Sequence, residues 1–365
     1  MAKVKVAVYT IALNEEKHVE RWYNSVKDDA DYLLIADTGS TDRTIEIAKS
    51  LGINVVSITV KPWRFDVGRN ASLALVPTDI DYCLPLDMDE IMLPGWKDEL
   101  QKAFDNHATR PRYDYVWNFN EDGTPGTTFK GDKFHARHGY RWKNPVHEIL
   151  VPDRIQEIQY HTNAVMEHHA DNTKSRAQYL DLLKLSIDED PYDDRNTFYY
   201  ARECYFYRQY EEATKYFKKH LEMPTATWDM ERAASMRYIG IMNPDECEHW
   251  FNMAIKEAPG RREPYVELAK HYYNTSKWEQ CYDNAMAALA IKQRPQEYLC
   301  EADAWGYLPH DFAAIACYRL GKYAEAVTHA QDAVKMALPN EMERLLKNLE
   351  FCEQAMKEAN NDRTT

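Results

Sequence analysis

The sequence predicts two units, an α/β unit built on a mainly parallel sheet and then an all-α helical solenoid. Between Val4 and Val60, short apolar runs rich in β-branched residues alternate with amphipathic stretches, which is typical of parallel strands joined by crossover helices. After about Ser175 these runs disappear, and amphipathic segments rich in Ala, Tyr and Glu follow. Because 365 residues exceed the usual size of one domain, we expect units at residues 1–172 and 173–365.

Composition and charge restrict the class of protein. The formal net charge of −14 disfavours a nucleic-acid partner, since such binding depends on Lys and Arg contacts to phosphates. The seven cysteines are scattered without a CxxC pair, which argues against a disulfide framework and a cysteine-based zinc site. No apolar run approaches the roughly 20 residues that span a bilayer, and the first residues lack the apolar core of a signal peptide. We therefore expect a cytoplasmic protein without a membrane span.

Four strands and two connecting helices are predicted in the first half. The strands are KVAVYTIAL, YLLIADTGS, NVVSITV and DYCLPLD, and the helices are EEKHVERWYNSVKDD and DRTIEIAKSLG. The run CLPLDMDEIML places Asp87, Asp89 and Glu90 directly after the last of these strands. In open α/β sheets, ligands bind at the carboxyl ends of the strands, so these acids are candidate site residues.

The chemistry of the DMDE segment indicates a hard divalent cation. Mg²⁺ and Mn²⁺ prefer a few carboxylates together with the oxygens of a substrate phosphate. An isolated DxD pattern is more often a solvated turn, so its context must decide. The preceding DTGSTD segment predicts an Asx turn around Asp37, with Ser40 or Thr41 capping the next helix.

A local excess of basic residues follows. Between Lys130 and His147 there are five Lys or Arg residues and one Asp, interleaved with Phe134, Tyr140 and Trp142. In an acidic protein such an excess can serve a diphosphate, because clefts concentrate the local field. The same composition also suits an ordinary polar loop.

The second half contains a repeat with a period of 34 residues. Tyr210, Pro244 and Trp278 are 34 residues apart, and Tyr323 continues the series after an 11-residue insertion. Small residues stand nine residues before and three residues after each of these four positions; they are Ala201, Ser235, Ala269, Ala314, Ala213, Cys247, Cys281 and Ala326. Small residues at fixed places let paired helices approach closely, which predicts a helical solenoid. The segment from His310 to Val334 resembles a tetratricopeptide repeat.

Six ordered motifs resemble those of family 2 glycosyltransferases with the GT-A fold. They are VYTIALNEE from Val8, ADTGSTD from Ala36, VGRN from Val67, LDMDE from Leu86, WKNPVHE from Trp142 and EHHADNTKS from Glu167. The last two resemble the motifs of the subgroup whose catalytic domain precedes tetratricopeptide repeats. The resemblance covers nearly the whole chain and implies a Rossmann-like nucleotide-diphospho-sugar transferase domain.

The resemblance also implies a set of site residues. Those assigned to donor binding are Thr10, Ala12, Asn14, Glu15, Asp37, Thr38, Arg69, Asp87, Met88 and Trp142. Many relatives carry two acidic residues where this chain has Asp37 and Thr38. Asp87 and Asp89 are the implied ligands of Mn²⁺ or Mg²⁺, joined by His168 or its neighbour His169.

An inverting transfer, which the resemblance implies, needs a general base for the acceptor hydroxyl. The first candidate is Glu148 in PVHE, and the second is Glu90.

The sequence therefore predicts a metal-dependent glycosyltransferase that moves a hexose or N-acetylhexosamine from a nucleotide diphosphate sugar, UDP-linked by preference, to an acceptor hydroxyl. A glycan, a protein and a modified base remain open as acceptors. The repeats are expected to hold the acceptor, a protein partner or a second copy of the chain. Two alternatives are nucleotidyl transfer, which usually shows a Gly-rich basic signature near the first strand, and a binding scaffold with a degenerate transferase domain.

Overall fold

The computed structural model describes residues 2–120, 123–171, 178–295 and 297–362. The chain divides into two compact units, Met1–Pro191 and Tyr192–Thr365. The boundary predicted between residues 172 and 173 lies outside the described residues. The division falls later in the chain because helix Tyr179–Glu189 belongs to the first unit. Its Tyr179 ring packs edge-on against Phe65, and its Glu189 pairs with Arg64 at 2.5 Å.

A five-stranded sheet forms the centre of the first unit, in the order β3-β2-β1-β4-β8. Its strands are β1 Val6–Ala12, β2 Tyr32–Asp37, β3 Asn54–Ser57, β4 Tyr82–Pro85 and, later in the chain, β8 His135–Ala136. The first four are mutually parallel, and β8 is antiparallel to β4. The four strands expected from the sequence are confirmed, so their carboxyl ends share one edge of the sheet.

A second sheet, with parallel and antiparallel strands, begins with the strand that follows β4 in the chain. It contains β5 Glu90–Met92, β6 Arg110–Val116, β7 Thr128–Gly131 and β11 Gln159–His168, and a separate hairpin contains β9 Tyr140–Lys143 and β10 Ile149–Pro152. In the antiparallel pairing of β5 with β11, His168 lies opposite Glu90. This register brings the end of β11 to the segment that follows β4.

The described part of the first unit also contains the helices α1 Val19–Val26, α2 Thr44–Ser50, α3 Phe65–Leu75, α4 Trp96–Asp105 and α5 Tyr179–Glu189. The Trp22 and Trp96 side chains are fully buried in the main core. The Trp22 indole donates to the carbonyl oxygen of Leu86 at 2.9 Å. This bond fixes the chain just before Asp87, so core packing positions the acidic segment.

The predicted cap of α2 is wrong. Neither Ser40 nor Thr41 caps the helix, because the Ser40 hydroxyl accepts from the Asn14 amide at 2.9 Å and the Thr41 amide donates to the Asn14 side chain at 2.8 Å. The Asp42 carboxylate instead accepts from the Thr44 amide at 2.9 Å. The loop after β2 is therefore tied to the loop after β1.

The second unit is built from helix pairs, as the 34-residue repeat predicts. The pairs are α6 Asp194–Phe206 with α7 Tyr210–Glu222, α8 Asp229–Met242 with α9 Cys247–Glu257, α10 Glu263–Asn274 with α11 Trp278–Ala290, and α13 Leu308–Arg319 with α14 Tyr323–Lys335. The insertion contains the short helix α12 Ala302–Trp305, and α15 Met342–Asp362 ends the described chain; a 3₁₀ turn at Pro244–Glu246 precedes α9. Across the ranges described, no helix has both the length and the apolar character needed to cross a bilayer.

The small residues of the repeat lie where paired helices meet. All eight are buried, and seven of them, including Ala314 and Ala326, have no exposed surface. Ala314 and Ala326 belong to the same core cluster between α13 and α14. The close approach of the helices therefore depends on the absence of larger side chains at these positions.

A row of buried polar side chains connects the first sheet to the β9–β10 hairpin. The Trp142 indole nitrogen donates to the Tyr9 hydroxyl at 2.9 Å, and this hydroxyl lies 3.2 Å from Nε2 of His135. Nδ1 of His135 lies 2.8 Å from the carbonyl oxygen of Ala136. Burial lowers the pKa of His135 to about 3, which favours a neutral ring that donates from Nδ1 and accepts at Nε2.

We expect Ala326→Leu to destabilise the protein by about 1–3 kcal/mol, because a fully buried site between two helices cannot accept the added volume without strain. The matched control is Ala324→Leu, on the exposed face of the same helix, where the expected change is within about 0.5 kcal/mol. Urea unfolding followed by helical circular dichroism measures both. Equal stability of the two variants would contradict the proposed packing.

The low pKa of His135 makes stability depend on pH in one direction. Below the ordinary histidine pKa of about 6.5 the unfolded chain binds a proton that the folded chain does not bind until about pH 3. The free energy of unfolding should therefore fall with decreasing pH by up to about 1.4 kcal/mol per unit from this residue. His135→Gln should make the plot of unfolding free energy against pH less steep between about pH 5 and 6. The difference in slope should correspond to nearly one proton fewer taken up on unfolding. If the variant does not fold, NMR titration of wild-type histidine rings decides, and a ring at His135 that charges near pH 6 would refute the assignment.

Candidate active site

The predicted site residues lie around the carboxyl ends of β1, β2 and β4. Asp87 and Asp89 stand in the segment between β4 and β5, and Glu90 begins β5. The Glu90 amide donates to the Asp87 carbonyl oxygen at 2.9 Å, and the Glu90 carboxylate accepts from the Asp87 amide at 2.8 Å. These reciprocal bonds close a tight turn that holds the acidic segment in one conformation.

Arg69 on α3 occupies the centre of the site. Its Nη1 lies 2.9 Å from one carboxylate oxygen of Asp87, and its Nη2 donates to the other at 3.1 Å. Its Nε donates to Glu148, which directly precedes β10. The Arg69 side chain is only 7% exposed. The guanidinium expected to face a nucleotide is therefore already paired with two carboxylates inside the protein.

Lys133 forms a second cationic contact with the acidic segment. Its ammonium lies 3.0 Å from Asp87 and 2.9 Å from Glu90. The Tyr115 hydroxyl on β6 donates to the same Glu90 oxygen at 2.6 Å. Glu90 is 1% exposed and accepts from a lysine, a phenol and a backbone amide. These donors leave Glu90 well placed to position Lys133 and Asp87 and poorly placed to accept a proton from a substrate.

The charges of this cluster shift several pKa values. Burial by itself would raise the pKa of Asp87, but Arg69 and Lys133 hold it well below its usual range. Burial also opposes the charged form of Lys133, yet Asp87 and Glu90 raise its pKa well above the ordinary value. Burial and the Glu90 carboxylate raise the pKa of Tyr115. Asp87 and Lys133 therefore stay ionised at neutral pH, and Tyr115 stays a neutral donor.

Trp142 supports Arg69 from the β9–β10 hairpin. The guanidinium lies 5.0 Å from the centre of the Trp142 ring. The Asn70 side chain accepts from the Trp142 amide and donates to its carbonyl oxygen, both at 2.9 Å. Trp142 is 2% exposed. The structure thus places this predicted donor-binding residue behind Arg69, as a support for it.

Asp89 has a different set of contacts from Asp87. Its Oδ2 lies 3.5 Å from Nε2 of His168, at the end of β11. Nδ1 of His168 lies 3.1 Å from the Trp117 carbonyl oxygen, and the Trp117 and His168 rings stack with centroids 4.7 Å apart. Burial lowers the pKa of His168, but Asp89 and the Trp117 carbonyl oxygen raise it, with a net upward shift. Asp89 and His168 are therefore neighbours with a fixed ring orientation.

His169 points away from this pair. Its Nε2 lies 3.1 Å from Glu167, its ring stacks on Phe119 at 5.1 Å, and its backbone amide donates to the Asp89 carbonyl oxygen at 2.7 Å. Of the two adjacent histidines, His168 is the one that lies beside the Asp89 side chain.

The donor atoms of Asp89 and His168 suit a divalent cation. A carboxylate and an imidazole supply two ligands, and Mn²⁺ and Mg²⁺ sites normally take further oxygens from water or substrate phosphates. The Asp87 carboxylate is directed to Arg69 and Lys133. Among the residues the structure describes, three Asp, Glu or His ligand atoms within 4.8 Å of one another occur only in the second unit, at Asp194, His220 and Glu231. In the first unit, two protein ligands therefore fit a metal directly, with Asp87 close by.

The predicted nucleoside-binding loops are present, but most of the predicted side chains build the loops. Asp37 is 1% exposed and accepts from the Gly39 amide at 3.0 Å and the Ser40 amide at 3.2 Å. This is the predicted Asx turn. The Thr38 hydroxyl and amide both donate to the Ala12 carbonyl oxygen, at 3.0 and 2.9 Å.

The end of β1 is similarly occupied with internal contacts. Thr10 is 1% exposed, and its hydroxyl donates to the Ile11 carbonyl oxygen at 3.1 Å. The Glu15 amide donates to the Thr44 hydroxyl at 2.7 Å, and the Asn14 side chain holds the neighbouring loop. Met88 is 2% exposed and belongs to the main core. These residues shape the edge of the site chiefly through the backbone.

The basic side chains of the segment from Lys130 to His147 contact different parts of the protein. Only Lys133 contacts the acidic segment after β4; Lys130 pairs with Asp114 at 2.7 Å, and Lys143 pairs with Asp190 at 2.9 Å. Arg137 donates to the carbonyl oxygens of Val76 and Pro77. Sequence proximity alone could not separate these roles.

Sequence reasoning missed four residues that shape the site: Lys133, Tyr115, Asn70 and Trp117. Lys133 was visible only as one of five basic residues, and Asn70 only as part of VGRN. Tyr115 lies in β6 and Trp117 directly follows it. The tyrosine-rich sequence of this strand is typical of a buried core strand. Their roles depend on strand pairing that the sequence does not specify.

Comparisons with known proteins agree with this arrangement. The family model described as Glycosyl transferase family 2 matches residues 7–150. A protein of Rickettsia bellii named an uncharacterized glycosyltransferase is 40% identical over 100 residues, which are 27% of this chain and 33% of that protein. The SPbeta prophage-derived glycosyltransferase SunS of Bacillus subtilis is 24% identical over 222 residues, 58% of this chain and 52% of its own length.

A relative named for its repeats also matches the chain. A TPR repeat-containing protein of Synechococcus elongatus is 29% identical over 159 residues, which are 43% of this chain and 38% of that protein. The chain thus spans between about a third and a half of the length of these relatives. The first unit thus carries a domain that matches the glycosyltransferase family 2 model, and the second unit is a tetratricopeptide-like helical region.

Proposed function

We propose that the first unit is a metal-dependent inverting glycosyltransferase. It moves a hexose or N-acetylhexosamine from a nucleoside diphosphate sugar, with UDP as the first nucleotide to test, to a hydroxyl group of a glycan or a protein. The matched family domain supports transfer of a glycosyl group. The charge distribution of the site supports the need for a metal ion.

The observation that carries the proposal is an excess of negative charge at the ligand-binding edge. Four carboxylates, those of Asp87, Asp89, Glu90 and Glu148, face two cations, Arg69 and Lys133. The cluster therefore has a formal excess of two negative charges, which would repel a diphosphate. A divalent cation beside Asp89 and His168 would cancel this excess and let the donor approach.

Arg69 would then act on the donor through the carboxylates that it positions, and Lys133 would contact the donor directly. Arg69 is buried and doubly paired, so it positions Asp87 and Glu148. The Lys133 side chain is 26% exposed, so of the two cations it is the one that would meet a bound phosphate. A metal ion bound here would stabilise the diphosphate leaving group by neutralising the charge that grows as the glycosidic bond breaks.

Glu148 is the proposed general base. It accepts from one Arg69 nitrogen, directly precedes β10 and is 11% exposed. A carboxylate held by a single charged donor keeps its other oxygen for the acceptor hydroxyl. Glu90, the alternative, has its oxygens engaged by Lys133, Tyr115 and the Asp87 amide. The acceptor hydroxyl would give its proton to Glu148 as its oxygen attacks the anomeric carbon.

We expect Asp89→Asn to abolish sugar transfer and donor hydrolysis while leaving the fold intact, because the half-buried amide cannot replace a charged metal ligand. Asp98→Asn, an exposed acid on α4, is the control and should retain wild-type activity. Circular dichroism checks the fold, and product formation after metal removal and Mn²⁺ addition checks the metal. Full activity without metal, or in Asp89→Asn, would refute the metal assignment.

The donor can be identified by thermal-shift screening of nucleotide sugars with Mn²⁺. The right donor should raise the apparent stability by roughly 2.7 kcal/mol at a hundredfold excess over its dissociation constant. Asp89→Asn should lose this shift.

Substitution of Glu148 and of Glu90 should have different effects, the first on catalysis and the second on stability. Glu148→Gln should lower kcat by about 10²–10⁴-fold with little change in donor affinity, because it removes the base and keeps the side-chain shape. Glu90→Gln should destabilise the fold by about 1–3 kcal/mol, because it breaks a buried charged contact. Steady-state kinetics and urea unfolding give the two readouts. Wild-type kcat in Glu148→Gln would exclude this residue as the base.

A further inference from the structure

A pocket of about 430 Å³ in the second unit has a cationic lining. Five of its lining side chains are basic: Arg262, Lys292, Arg294, His310 and His329. They come from the start of α10, the segment after α11, and helices α13 and α14. No Asp or Glu is among the described lining residues. This is unusual in a chain with 59 acidic and 45 Lys or Arg residues.

The Lys and Arg side chains of the pocket have no acidic partner among the described residues. Within the described part of the chain, Arg262, Lys292 and Arg294 make no ion pair, although Lys and Arg side chains elsewhere in this unit do, as Arg261 does with Glu297. Unpaired cations of one sign around a concave surface repel one another and focus a positive potential into it. The pocket is therefore electrostatically incomplete without an anion.

Arg262 is built into the wall of the pocket. It is 8% exposed, and its Nε and Nη2 donate to the Ile291 carbonyl oxygen at 3.0 and 2.8 Å. Its guanidinium lies 4.5 Å from the centre of the Trp305 ring. Burial lowers the pKa of Arg262. Holding a buried cation without a carboxylate costs stability, and its fixed orientation suits binding of an external anion.

The two histidines, on α13 and α14, add one ring donor to the lining. Nδ1 of His310 lies 3.2 Å from Nδ1 of His329, so the two rings hydrogen bond to each other. One ring donates from Nδ1 and can only accept at Nε2, and the other accepts at Nδ1 and keeps its Nε2–H as a donor for a ligand. Burial lowers the pKa of both rings, and His329, Arg262 and Lys292 lower that of His310 further, while Asp332 acts in the opposite direction. Asp332 is itself paired with Lys335 at 2.7 Å.

We propose that this pocket binds a small ligand that carries a phosphate group on an apolar or aromatic body. Three Lys and Arg cations and one imidazole N–H match the charge and the three oxygens of a phosphate monoester better than a singly charged carboxylate. The remaining lining, which includes Met286, Leu289 and Met336, supplies an apolar wall for the body. The volume lies within the range of small-molecule sites. This site is independent of the proposed transferase activity.

Titration calorimetry of the full chain with phenyl phosphate, inorganic phosphate and benzoate tests the proposal. Phenyl phosphate should bind with a dissociation constant of about 1 mM or below, and more weakly at high salt. Inorganic phosphate should bind less tightly because it lacks the apolar body, and benzoate should bind less tightly because it lacks the second charge. Absence of phenyl phosphate binding overturns the proposal, and tighter binding of benzoate overturns the phosphate assignment.

The matched variants are two double substitutions. Lys292→Gln with Arg294→Gln removes two exposed pocket cations that form no ion pair with the described residues, so the fold should persist and phenyl phosphate affinity should fall by at least about tenfold. Lys347→Gln with Lys357→Gln removes the same charge from exposed positions on α15 and should leave the affinity unchanged. Equal affinity in both double variants, or equal losses in both, would show that the pocket does not bind the anion.

Discussion

The buried guanidinium of Arg69 links three segments of the first unit, because it pairs with Asp87 after β4 and with Glu148 before β10. A buried charge that loses its partner is strongly destabilising. Each of these three segments is therefore stable only when the other two are packed against it. The segments are helix α3, the acidic turn after β4 and the β9–β10 hairpin. Trp142 covers the guanidinium, and Asn70 joins α3 to the same hairpin, so the ion pairs have a rigid frame.

This constraint divides the work of the two aspartates in DMD. Asp87 faces inward to Arg69 and Lys133, and Asp89 faces His168 at the end of β11. Met88 between them is buried in the core, which fixes the direction of both neighbours. Asp87 thus organises the protein, and Asp89, beside His168, is the proposed metal ligand. The same residue pattern therefore serves stability and chemistry at adjacent positions.

The two units handle charge in different ways. In the first unit, nearly every charge at the site has a counter-charge within the fold, and the surplus is negative. In the second unit, the Lys and Arg side chains of the pocket beside Arg262 and Trp305 form no ion pair with any residue the structure describes, although the chain as a whole is acidic. Helix pairs make this possible, because their small residues bring the helices close and leave the long side chains at the ends of the helices to line a cavity.

The sequence by itself determined the two units, the parallel strands and the helix pairs, because these follow from the spacing of apolar and small residues. It also located the acidic segment at the sheet edge, since a strand end places its next residues there. It could not show that Arg69 and Trp142 lie behind the carboxylates, or that Lys133 alone among five basic residues reaches them. Those facts depend on strand register, on the β5–β11 pairing opposite Glu90 and on a hairpin that returns from far along the chain. Only the tertiary structure decided them, because contacts between residues distant in sequence leave no periodic signal in the chain.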